Sequence, residues 1–92
     1  MIRSFRNTAT ERFAGGGKSR SSGMDEQKVR LRLDQLHAAV TPQSIGVLRS
    51  VGLHRLKGDR AGFWAVTVNG PWRLVFRFED GDAYDVEIVD YH

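Results

Sequence analysis

Two short segments of this 92-residue chain concentrate the side chains that move protons and stabilise phosphate charge. The first is Leu53-His54-Arg55-Leu56-Lys57-Gly58-Asp59-Arg60, which brings an imidazole, an ammonium and two guanidinium groups together. The second, Val89-Asp90-Tyr91-His92, sets a carboxylate, a phenol and a second imidazole side by side. Arg73 falls on the polar face of a predicted strand, where it can share a concave surface with either segment. Histidines exchange protons near neutral pH, and Lys and Arg offset the charge of a phosphorane, so the set suits acid–base work on a phosphodiester. A structural alternative stands beside this one, in which each imidazole simply satisfies hydrogen bonds. Terminal residues are usually chemically idle; these follow directly from an apolar strand and can be held against a sheet.

Other chemistries find no support in the residues. With no cysteine, disulfides and Cys-ligated zinc or iron–sulfur sites are excluded. His37, His54 and His92 are far apart in sequence and lack ligand spacing or an Asp-rich loop, so no metal and no cofactor is expected. Gly17-Lys18-Ser19 lacks the spacing of a phosphate-binding loop after a strand, and no nucleophile elbow is present.

Helical elements come first. Residues 2–5 alternate like a short strand. Asn7 to Phe13 reads as a short helix with Asn7 and Thr8 as capping candidates. A Gly/Ser-rich stretch, 14–23, is predicted to be a flexible loop, and its Lys18 and Arg20 either reach a phosphate backbone or are incidental linker charges. Asp25 to Val40 is the clearest helix, with Val29, Leu33, Leu36 and Val40 on one stripe and Arg30, Arg32 and Asp34 pointing away. Thr41-Pro42 stops it, and Ser44 to Leu48 adds a turn that packs Ile45 and Leu48 inward.

From residue 53 the period changes to two. Phe63 to Val68 is a strand, and Asn69-Gly70 signals a type I′ hairpin. In the next strand Trp72, Leu74, Phe76 and Phe78 share one face, with Arg73, Val75, Arg77 and Glu79 on the other. Glu79-Asp80-Gly81-Asp82 is a second turn. Tyr84 to Val89 closes a meander, with Tyr84, Val86 and Ile88 expected on one face. The expected architecture is α+β, with N-terminal helices packed on a small twisted antiparallel sheet as a single domain over residues 1–92.

Composition is that of a soluble globular protein, 40% apolar and 27% charged, and no apolar run approaches membrane-spanning length. No signal peptide is visible, which predicts a cytoplasmic protein without membrane contact. The net charge of +3 is unevenly spread: residues 1–60 carry +7 and residues 61–92 carry −4. Such polarity fits either a basic surface for a polyanion or ordinary solvated charge.

The run from Leu53 to Arg60, followed by Gly62 and Trp64, resembles the signature of HigB-type toxins of bacterial type II toxin–antitoxin systems. Asn69, Trp72-Arg73 and the ending from Asp82 to Asp90-Tyr91-His92 are similar to that family's C-terminal half, and Gly17-Lys18-Ser19-Arg20 to the loop after its first helix. The resemblance covers essentially the whole chain. It implies a RelE-superfamily fold and a toxin that enters the ribosomal A site and cuts messenger RNA without a metal. His54, Asp90, Tyr91 and His92 match the positions tied to catalysis, and Lys57 and Arg73 match the phosphate-stabilising ones. Lys18, Arg20, Arg55 and Arg60 are the further RNA-binding candidates. The implied partners are a helix-turn-helix antitoxin (HigA-like), which links the toxin to operator DNA, and the ribosome with its 16S RNA and message. The chain departs from the family at Arg55, which stands where proline is usual, at the triple glycine, and across 41–52. The rival expectation is a toxin or RNA-binding module of the same fold that blocks its target, gyrase for example, without cutting RNA.

Overall fold

The computed structural model describes residues 1–18, 23–45 and 51–91. Helix α1, Thr8–Ala14, starts where expected: the Asn7 side-chain oxygen accepts from the Thr10 amide at 2.8 Å. That bond satisfies one of the free N–H groups of the first turn. Helix α2, Glu26–Ala38, is capped in the same way by Asp25, which accepts from Lys28 N–H at 3.1 Å.

Two expectations for α2 need correction. Its stripe ends at Leu36, because the chain leaves helical geometry at Ala39 before the Thr41-Pro42 stop. Ala39 takes the buried place and Val40 is turned out, 72% exposed. Arg32 does not point away; it is buried. Its Nε donates to the Thr67 carbonyl at 3.0 Å and its Nη1 to Gln35 Oε1 at 3.0 Å. The reason is spacing: Arg32 lies three residues after Val29 and four before Leu36, so it shares their face. Helix α3, Pro42–Ile45, is a single turn that buries Ile45; Leu48 lies outside the described residues.

The sheet contains β1 (His54–Arg55), β2 (Phe63–Thr67), β3 (Trp72–Glu79) and β4 (Asp82–Asp90), antiparallel and in sequence order. Residues 2–5 contribute two isolated parallel bridges against β4, Ile2 with Ala83 and Phe5 with Val86, instead of a strand. Val66, Leu74, Phe76, Ala83 and Val86 pack with Phe13 of α1 and Val29, Leu33 and Leu36 of α2 in one core. Each large side chain of that group contributes roughly 1.5–3 kcal/mol by leaving water.

The type I′ geometry expected at Asn69-Gly70 is found instead at the second turn. Asp80 and Gly81 both have positive φ (48° and 83°) between the paired Glu79 and Asp82, as a type I′ turn requires. In the 69–71 turn only Gly70 is positive, because Pro71 cannot adopt that region. A second correction follows from a β-bulge between Val75 and Arg77 on the pairing with β4. Asp85 occupies it at φ 53°, held by Ser4 Oγ, which accepts from its amide at 2.8 Å, and by Arg77 Nε at 3.0 Å. One extra residue flips the alternation, so Tyr84 pairs with Arg77 on the face away from Val86 and Ile88.

The acidic C-terminal strands meet the basic N-terminal segment directly. Asp82 pairs with Arg3 Nε at 3.2 Å and with the Met1 amine at 3.3 Å; Glu87 pairs with Arg6 at 3.6 Å and Arg60 at 3.3 Å. Loss of solvent pushes the Asp82 carboxyl pKa up, but the hydrogen bonds from Arg3 and the amine outweigh it and hold the group below its ordinary value.

Arg32→Ala should lower stability by about 2–3 kcal/mol through lost packing and an unmet carbonyl, read by chemical denaturation. The Asp82 contribution is complete above the ordinary carboxyl range and disappears as pH falls through the depressed native value. Acid titration followed by amide exchange should therefore loosen Arg3 and Ala83 early. Asp82→Asn should be loose there already at neutral pH and show little further acid response.

Candidate active site

In antiparallel pairs, directly opposed residues share a face. His54 opposes Ala65, Ala65 opposes Val75 and Val75 opposes Glu87, so these four make one row across the sheet. The adjacent row is Thr67, Arg73 and Val89. Both rows lie on the face away from Val66, Leu74 and Phe76, which meet the helices. His54 and Arg73 therefore share the face away from α1 and α2, with one strand between them and one row of offset. Strand geometry separates their backbones by about 10 Å across the sheet and about 7 Å along it.

A local bond orients His54. Its exposed ring places Nδ1 3.0 Å from the Gly52 carbonyl. A carbonyl can only accept, so Nδ1 carries the hydrogen, which leaves Nε2 as the ring nitrogen able to exchange a proton. Gly52 is required here twice over: its φ is +60°, and a Cβ would stand 2.7 Å from Thr67 Oγ1. Sequence reasoning passed over this residue, and its one signal is a glycine at the entrance to a short strand.

Arg73 is fixed at its own turn, Nη1 donating to the carbonyls of Gly70 at 2.6 Å and Trp72 at 2.9 Å. Its other guanidinium nitrogens carry no partner among the described residues, which leaves them able to meet an anion. Asp90 opposes Trp72 at the end of β4, and the Tyr91 amide donates to Pro71 at 2.8 Å. The tail is thereby laid alongside the start of the strand that carries Arg73, with Tyr91 45% exposed. His92 lies outside the described residues.

Lys57 is exposed at the start of the loop joining β1 to β2. The Leu56 amide closes that hairpin on the Phe63 carbonyl at 2.9 Å, and Gly58–Arg60 forms a 3-10 turn. The RNA-binding candidates scatter. Arg55 opposes Trp64, whose ring lies 4.9 Å from its guanidinium, and so falls on the face opposite to His54. Arg60 is engaged with Glu87. Lys18 borders a cavity of about 550 Å³ with Arg12, Phe13, Met24, Trp72 and Ile88, on the helix side. Arg20 lies outside the described residues. Of the 14–23 loop, the described part before it is tied down, since Arg30 donates to the carbonyls of Phe13 at 2.9 Å and Gly17 at 2.7 Å.

Asn69 matters in a way its turn propensity does not convey. Its side chain accepts from Asp25 N–H and donates to the Gly23 carbonyl, both at 2.9 Å, fastening the β2–β3 turn to the entrance of α2. Among the described residues, no three His, Cys, Asp or Glu stand together as a metal set.

A four-stranded antiparallel meander with helices packed on one face is consistent with a RelE-like fold. The family described as RelE-like toxin of type II toxin-antitoxin system HigB matches residues 3–92. The endoribonuclease HigB of Proteus vulgaris is 40% identical over 94 residues, covering the whole of both chains. The chain belongs to the HigB-like family of toxins.

Gly52→Ala should shift Thr67 and unseat the His54 bond. The backbone strain alone is worth about 1–3 kcal/mol. Two-dimensional NMR should show the largest shifts at His54 and Thr67, with the α2 signals nearly unmoved.

Proposed function

We propose that this protein is an endoribonuclease that cuts messenger RNA in the ribosomal A site and so stops translation, held in check by a helix-turn-helix antitoxin. The activity is carried over from the Proteus vulgaris relative. The observation that supports it here is one sheet face bearing His54, whose Nδ1 is held by the Gly52 carbonyl, and Arg73, with guanidinium nitrogens unpartnered among the described residues, beside the Asp90-Tyr91 tail.

The reaction balances without a metal. A base removes the proton of a ribose 2′-hydroxyl, the oxygen attacks the adjacent phosphorus, and an acid protonates the departing 5′-oxygen. A 2′,3′-cyclic phosphate and a 5′-hydroxyl result. His54, whose Nε2 is the ring nitrogen able to exchange a proton, is assigned the base, and His92 the acid. Asp90 is assigned to orient or charge the His92 imidazole. Lys57 and Arg73 stabilise the phosphorane, and Tyr91 stacks on a base of the single strand. The ribosome is proposed to impose in-line geometry on the message.

Lys18, Arg20 and Arg55 are proposed RNA contacts; Arg60, expected as a fourth, is engaged with Glu87 within the fold. Operator DNA is reached only through the antitoxin.

His92→Ala and His54→Ala should each slow cleavage of ribosome-bound message about 10²–10⁴-fold while leaving folding and antitoxin binding intact. Purified ribosomes programmed with a defined message provide the assay. Full cleavage by His92→Ala would overturn the assignment, and inhibition of DNA supercoiling without RNA cleavage would favour a non-enzymatic toxin.

A further inference from the structure

Ala65 and Val75 are fully buried, yet they lie outside the core that joins the helices to the sheet. Their side chains face the open side, in the row that runs from His54 to Glu87. Arg60 reaches over this row. Its guanidinium lies 5.9 Å from the Phe63 ring on β2, and Nη1 reaches Glu87 Oε1 on β4 at 3.3 Å. A side chain spanning from β2 to β4 has to cross β3 at the level of Val75.

The same arginine is the last residue of the 3-10 turn that follows Lys57. Its amide donates back to the Lys57 carbonyl at 3.4 Å, and Gly58 begins the turn at φ +66°. The loop is therefore bent toward the open face and pinned at its tip. The Glu87 side chain is 18% exposed and that of Arg60 37%, so the carboxylate is the shielded partner of the pair.

We propose that Arg60 and Glu87 are positioning residues: their ion pair straps the β1–β2 loop across the open face and sets Lys57 over the scissile phosphate. The strap acts through Lys57, and so rests on the site proposed above. Arg60 then serves the reaction from within the fold and does not bind RNA itself.

The test measures single-turnover cleavage on programmed ribosomes, together with ribosome affinity at two salt concentrations. The variants are Arg60→Ala, Arg60→Lys, Glu87→Gln, Arg6→Ala and Lys57→Ala. Arg60→Ala and Glu87→Gln should each lower the rate at saturating ribosomes by about 10- to 100-fold, the scale of a small misplacement of a reacting group. Affinity and its salt dependence should stay unchanged. The double variant should be no slower than either single one, and neither change should slow Lys57→Ala further. Arg60→Lys should recover part of the rate. Arg6→Ala removes the other cation at Glu87 and should leave cleavage as it was. If Arg60→Ala does not fold, Arg60→Lys and Glu87→Gln, which preserve volume, carry the comparison.

A loss of affinity and salt dependence in Arg60→Ala, with normal cleavage by Glu87→Gln, would overturn the strap and make Arg60 an RNA contact. An inactive Lys57→Ala with Arg60 and Glu87 variants at full rate overturns the strap alone. A fully active Lys57→Ala removes Lys57 from the site and the strap with it.

Discussion

The buried guanidinium of Arg32 is the contact on which the rest of the structure leans. A charge withdrawn from water costs several kcal/mol unless its donors are met, and here they are met by the Thr67 carbonyl and Gln35. That bond fixes α2 against the end of β2, and Asn69 repeats the tie two residues later at Gly23 and Asp25. The candidate residues His54, Arg73 and Tyr91 depend on the same hairpin. Thr67 sets the space that only Gly52 fits, Gly52 orients His54, the 70–72 turn aims Arg73, and Pro71 holds Tyr91. The helices thus support a site that they do not touch.

Charge is used in a related way. The contrast between a basic N-terminal portion and acidic final strands is partly consumed inside the molecule, by Arg3 on Asp82 and by Arg6 and Arg60 on Glu87. Likewise Arg77 is bound to Asp85 and Glu79, and the Asp85 hydrogen bond raises its pKa further. The open face is therefore graded. At the Phe63–Arg77–Tyr84 row the Arg77 guanidinium is matched by carboxylates, whereas Arg73 has no carboxylate partner among the described residues. A polyanion approaching that face meets attraction at one end only.

Much of the fold was legible because local chemistry and periodicity agree with it. Asn7 and Asp25 cap the helices they precede, and the alternation of β3 puts Leu74 and Phe76 in the core. Where legibility failed, a nonlocal partner intervened. Tyr84 changes faces because Asp85 is stabilised at φ 53° by Ser4 and Arg77, residues far away in sequence or on another strand. Val40 is exposed because Ala39 turns extended ahead of the proline stop. Arg32 was misplaced for a different reason: its spacing matched the buried stripe, but its charge argued against burial.

For the site, sequence alone determined the inventory. His54, Lys57, Arg73, Asp90, Tyr91 and His92 carry groups suited to phosphodiester chemistry, and the resemblance to the HigB-type family singled them out as candidates. The tertiary structure decided which of these residues share a surface and which neighbours hold them. Register puts His54 and Arg73 on one face and sends Arg55 to the other, and Glu87 draws Arg60 across the sheet. Those outcomes depend on pairings between strands and on contacts across long stretches of chain. No local window encodes such pairings, because their energy arises only when the distant partners meet.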